Sequence, residues 1–192
     1  MCFDEQTGDF LWQLVVPKLG AGKVNDWERL GLISSPYVEG DRAYLVTTRN
    51  EVMCLDLNGF KDGNDGPFKD EGQYYVGEGN PRVTPKKDDA DIVWGYDMMY
   101  ELGVFAHNSS NSSPLVVGDK VYAGTSNGVD YTHKNVPSPF APSLICLDKE
   151  TGELLGEDNA LIGQRVFHGQ WSSPTYANVD GQDAWALVTG ER

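Results

Sequence analysis

Basic residues are scarce in this chain. Lys plus Arg number 15 against 29 Asp plus Glu, for a formal net charge of -14 over 192 residues. Phosphate backbones and anionic lipid surfaces would be repelled, so nucleic-acid binding is not expected. The acidic residues are spread along the chain and read as a solvated surface. Long apolar runs are missing too: nothing approaches the roughly 18 residues of a spanning helix, and Met1-Cys2-Phe3-Asp4-Glu5 lacks the basic and apolar regions of a signal peptide. No sustained helical periodicity is present, although Asp97-Met98-Met99-Tyr100-Glu101-Leu102 could form one turn. Neither a His-Glu-x-x-His pair, a phosphate-binding Walker loop nor a dinucleotide fingerprint occurs, and hydrolase or nucleotide chemistry is not expected. Cysteine is limited to Cys2, Cys54 and Cys146, an odd number that fits neither a zinc module nor a disulfide framework.

What the chain does have is repetition. Each cysteine opens the same phrase, Cys2-Phe3-Asp4, Cys54-Leu55-Asp56 and Cys146-Leu147-Asp148, which suggests a small apolar side chain packed once per repeat. A second phrase also occurs three times, as Ser34-Ser35-Pro36, Ser112-Ser113-Pro114 and Ser172-Ser173-Pro174. Gly40-Asp41 and Gly118-Asp119 sit between short β-branched and aromatic runs, the pattern of hairpins. Placing an apolar run after each Cys-x-Asp strand gives four strands, A to D, per repeat. The expected layout is C and D at 1–14, a blade at 33–96 with an insertion at 57–90, a blade at 112–157 with an insertion at 126–143, and A and B within 172–192. Twelve strands in four-stranded antiparallel units describe an all-β propeller of about three blades.

Cys2-Phe3-Asp4-Glu5-Gln6-Thr7-Gly8-Asp9-Phe10-Leu11-Trp12 resembles the tryptophan-docking motif of the pyrroloquinoline-quinone (PQQ) repeat propellers, with Cys in the place of the motif's Ala. The resemblance implies a structural role for Asp4, Gly8, Trp12, Asp56, Trp94, Asp148 and Gly152, with the Asp and Gly closing the C to D turn and the Trp stacking between neighbouring blades. The chain departs from the motif at the 57–90 insertion and at Gly156, where the third Trp belongs. The resemblance further implies a seven- or eight-bladed parent ring, with the remaining blades as partners, and a periplasmic or extracellular location.

In such a blade the D to A and B to C loops share one face, and the insertion at 57–90 is expected on the other as a turn-rich excursion. An EF-hand reading of Asp62 to Gln73 fails on spacing, with Gly66 at the fifth place and Gln73 at the twelfth. The loop face collects His107, Asn108, Asn127, Asp130, Tyr131, His133, His168 and Gln170, a polar and aromatic set of the kind that lines ligand sites. Loop histidines more often hydrogen-bond than ligate, so no metal is assigned. Imidazoles more than about 10 Å apart would exclude a shared ion. PQQ is a flat tricarboxylate that needs cationic donors and an aromatic floor, for which Arg29, Arg165 and Trp171 are the candidates. No adjacent cysteine pair and no assignable Asp base accompany them. The favoured reading is a non-catalytic binding or scaffold module that presents its loop face to a protein, small molecule or carbohydrate. The alternative is part of a dehydrogenase using PQQ with calcium to oxidise an alcohol or sugar.

Overall fold

The computed structural model describes residues 1–18, 31–166 and 168–187. Among these described residues, twelve strands form four antiparallel sheets in chain order. The first pairs β1 (Cys2–Phe3) with β2 (Phe10–Trp12). The second is a meander of β3 (Tyr37–Glu39), β4 (Arg42–Val46), β5 (Glu51–Asp56) and β6 (Asp91–Asp97). The third repeats it with β7 (Leu115–Val117), β8 (Lys120–Gly124), β9 (Leu144–Asp148) and β10 (Leu154–Glu157), and the last pairs β11 (Thr175–Val179) with β12 (Gln182–Ala186). This is a partial propeller: two full blades between two half-blades.

Burial explains why the strand sequences are apolar on both faces. Alternate residues of a strand point to opposite sides of the sheet, and a central blade meets a neighbour on each side. Ala43 and Leu45 of β4 therefore join Trp12, Met53, Leu55, Ala90 and Ile92 in a core against the first sheet. Tyr44 and Val46 join Trp94, Val116, Val121, Ile145 and Leu147 in a second core against the next blade. All six residues of β5 are buried as a result.

The seams are tied by tryptophan. Trp12 Nε1 donates to the Leu57 carbonyl at 2.8 Å, and Trp94 Nε1 to the Lys149 carbonyl at 3.0 Å, each reaching the residue after a Cys-x-Asp phrase in the following blade. The ring then lies against a glycine. A Cβ on Gly152 would meet Trp94 ring carbons at 2.6 Å, and one on Gly59 would meet Trp12 Cδ1 at 3.0 Å. Asp148 makes the turn that presents Gly152: its carboxylate accepts from Glu150 N, Thr151 N and Thr151 Oγ1, and Asp4 repeats the pattern with Gln6 and Thr7. Gly59 departs from the motif spacing, because the turn after Asp56 is one residue shorter than those after Asp4 and Asp148.

The Ser-Ser pairs have a divided role. The first hydroxyl accepts from a B-strand amide of its own blade, Val46 N for Ser34 and Gly124 N for Ser112, both at 3.1 Å. The second crosses the seam: Ser35 N donates to Ser113 Oγ and Ser113 N to Ser173 Oγ, both at 2.9 Å. Each cysteine pairs in register with the D-strand tryptophan position, Cys2 with Trp12, Cys54 with Trp94 and Cys146 with Gly156. Cys54 is buried, which pushes its thiol up to about 12, while Cys2 and Cys146 are half-buried.

The insertion does not stand off as an excursion. It runs back along β6, with Phe68 N donating to the Val93 carbonyl at 3.2 Å, through the short helix α1 (Glu71–Tyr74), until Tyr74 Oη donates to Glu51 Oε2 at 2.7 Å. It thus reaches the start of β5, which belongs to the B to C end of the blade. The one helical turn expected near 97 forms as α2 (Met98–Leu102), capped by the Asp97 carboxylate and closed by Gly103 at φ +64°.

Candidate functional site

The loop face is organised by residues 126–129, which follow β8 and lie between the loops that lead into β7 and β11. Asn127 bridges Ala106 and Gly128 bridges Gly169, both antiparallel. His107 N donates to the Ser126 carbonyl at 3.1 Å, Gly128 N to Phe105 at 2.9 Å and Val129 N to the His168 carbonyl at 2.8 Å. Glycine is required at 128 because an added Cβ would lie 2.3 Å from the His168 oxygen and 2.8 Å from His107 Cβ. Two consecutive D to A loops are thereby locked onto one B to C loop.

That lock gathers the three histidines. Ring centroids are 4.4 Å apart for His107 and His168, 4.7 Å for His107 and His133, and 5.0 Å for His133 and His168. One ring nitrogen from each lies within 4.8 Å of the others. His107 is buried, and His133 and His168 face solvent. The His107 Nδ1 atom is 2.7 Å from the Val129 carbonyl. A carbonyl only accepts, so Nδ1 carries the proton and, in the neutral ring, the lone pair is on Nε2. Burial, with His133 adding to it, holds His168 below the ordinary imidazole value.

The other candidates take distinct places. His133 adopts φ +59°, and Asp130 holds its loop: the carboxylate accepts from Thr132 Oγ1 at 2.5 Å and Asn135 Nδ2 at 2.8 Å, and His133 N donates to the Asp130 carbonyl. Those bonds lower the Asp130 pKa. Asn127 is buried and clamps the loops, accepting from Phe105 N at 3.1 Å and donating to the Ser138 carbonyl at 2.9 Å. Asn108, at φ +59°, is half-buried beside His107. Gln170 is fully buried and Tyr131 is 63% exposed. Trp171 Nε1 donates to the His107 carbonyl at 3.1 Å, and its ring stacks on His107 at 5.9 Å and meets His168 edge-on at 4.8 Å. Arg165 is exposed just beyond the turn at Ile162–Gln164. Arg29 lies outside the described residues.

Two arrangements went unrecognised in the sequence. Gly124-Thr125-Ser126-Asn127-Gly128 carries the spacing of a hydrolase nucleophile elbow. The elbow needs a strand-to-helix turn that exposes its hydroxyl. Here no helix follows β8, and Ser126 Oγ is buried. The segment is the loop lock instead. The second is a group of carboxylates from Asp56, Asp65 and Asp91, with one oxygen of each within 4.8 Å of the others. Arg42 supplies a cation there, bonding Asp56 through Nη1 and Asp65 through Nη2, while Asp65 N donates to Asp91 Oδ2 at 2.7 Å. The insertion thus contributes one of three acids that converge around an arginine.

Of the candidates for a tricarboxylate quinone, Trp171 has one ring face against His107 and Arg165 is exposed. No helix among the described residues is long and apolar enough to cross a membrane.

Among solved structures, the quinohemoprotein alcohol dehydrogenase from Comamonas testosteroni is similar at 15% identity and a TM-score of 0.33, over 81% of this chain and 28% of that one. The chain therefore spans less than a third of that enzyme, and the likeness says nothing of its activity. A comparison with curated proteins finds no match. The model of the PQQ_2 family, described as outer membrane protein assembly factor BamB, matches residues 1–160. With that match covering most of its length, and with Trp12 and Trp94 docked across the seams on either side of the first four-stranded blade, the chain belongs to the PQQ_2 propeller-repeat family.

Proposed function

We propose that the chain is the binding segment of a non-catalytic propeller, and that its D to A and B to C loop face receives a protein of the cell envelope. The observation that carries this reading is the loop lock at 126–129. It gives the loop face a fixed backbone of reciprocal hydrogen bonds, with exposed Tyr131, His133 and His168 set on it. Preorganised surfaces of this kind lose little entropy on association. The family's description, an outer membrane assembly factor, favours a scaffold over an oxidase and favours a periplasmic or outer-membrane-associated location. The net charge of -14 suits a partner with a basic patch, attracted over long range.

A photo-crosslinking residue placed at Tyr131 is expected to capture one discrete envelope protein, whereas the same group at Glu150, in the C to D turn of the opposite end, is not. Added PQQ with calcium is expected to leave the melting temperature unchanged. A shift of several degrees together with dye reduction by an alcohol would replace the scaffold reading with the dehydrogenase one.

A further inference from the structure

We propose that His107, His133 and His168 form a three-imidazole site for a divalent cation of the zinc class, with a fourth position open to solvent. Three nitrogens within 4.8 Å need only a small closure to share one tetrahedral ion. The ligand set is chemically selective: imidazole suits zinc and its d-block neighbours, whereas calcium and magnesium demand oxygen.

The surroundings supply what such a site requires beyond its ligands. Metal-bound histidines ordinarily donate their second ring N–H to a carbonyl or carboxylate, which fixes the tautomer and aims the lone pair. Val129 does this for His107. The same residue's N–H holds the His168 carbonyl, so one residue contacts both ligands through its backbone. Gly128 lets the two histidine loops approach to a separation that any side chain at that position would prevent. His133 comes in from the B to C loop in a left-handed backbone conformation, held by the closed turn from Asp130. Two of the ligands are exposed, which leaves an entry path and room for a water or a partner's donor atom in the fourth position. The site goes beyond the scaffold reading and stands independently of it, because an ion could bind the chain with or without a protein partner.

Calorimetric titration of the chelator-stripped chain with zinc chloride is the test, accompanied by cobalt(II) as a spectroscopic probe. One equivalent is expected to bind with a Kd of about 1 μM or tighter, and cobalt is expected to give the visible bands of a tetrahedral nitrogen site. Because His133 and His168 are exposed, H133A and H168A should keep the fold, checked by circular dichroism, and each should weaken zinc binding about 100-fold or more. G128A removes no ligand atom, and it should weaken binding about 10-fold or more by forcing the histidine loops apart. Absence of a stoichiometric site would overturn the proposal. So would zinc binding that persists unchanged in the H133A/H168A double variant, since that would place the ion on surface carboxylates. Loss of partner capture at Tyr131 with zinc binding intact would count against the scaffold reading alone.

Discussion

Single residues decide how tightly the blades meet. Gly152 and Gly156 are four positions apart and have opposite surroundings. Gly152 sits at φ +74° with the Trp94 ring where its Cβ would be, while a Cβ on Gly156 would have nothing within 4 Å. Substitution of Gly152 by Ala combines a left-handed backbone with a steric clash and is expected to cost about 2 kcal/mol or more. Gly156→Ala restricts the unfolded chain without strain and is expected to be neutral or to stabilise by about 0.5 kcal/mol. Urea unfolding of the two variants checks the pair, and equal destabilisation would contradict the seam geometry. The residue scale was also where the sequence was most readable. A Cys-x-Asp phrase and a following Trp were enough to place the docking seams, because backbone turns and ring stacking impose residue types at fixed spacing. Gly59 escaped because its turn is one residue short. Gly128 escaped because its role is a close approach between loops far apart in sequence, which no local pattern marks.

At the scale of elements, the insertion at 57–90 is the part that periodicity could not describe. It has little regular structure of its own, yet Asp65 from it meets Asp56 at the end of β5 and Asp91 at the start of β6. Burial, assisted by Glu71 and the other acids, raises Asp91 to about 6. Burial likewise holds Asp56 above its ordinary value despite Arg42. A carboxyl raised on folding binds more protons in the native state, so native stability falls as pH rises from about 4 to 6 and is lowest, for this group, above that window. Asp91→Asn removes the titration. Its stability relative to the unsubstituted chain is expected to increase by about 1–2 kcal/mol between pH 4 and pH 7. Denaturant midpoints measured across that range give the answer, and a pH-independent difference would mean that Asp91 does not carry the effect. None of this was visible in the sequence, where the acids are separated by up to 35 positions, with Asp56 read as a docking-turn residue and Asp65 as part of a turn-rich insertion.

Across the whole molecule, the arrangement of blades creates the histidine group. His107 and His168 precede strand A of consecutive blades, and His133 lies on the loop between them, so only side-by-side docking brings the three together. Topology alone predicted the shared face. The short distances depended on the lock at 126–129, which sequence spacing could not show. The missing tryptophan at Gly156 has a visible consequence: a cleft of about 260 Å³ lined by Tyr122, Cys146, Gly156 and Trp185, where Trp185 of the last sheet lies 5.0 Å from Tyr122. The third seam is therefore closed from the far side by a ring that is 39% exposed. Hydrogen exchange of the indole N–H groups, followed by NMR, tests this order of seams most directly. Trp12 and Trp94, hydrogen-bonded across their seams, are expected to exchange only by opening of the fold and hence far more slowly than Trp185. An indole of Trp94 that exchanges as fast as that of Trp185 would contradict the docked-blade architecture on which the loop face depends.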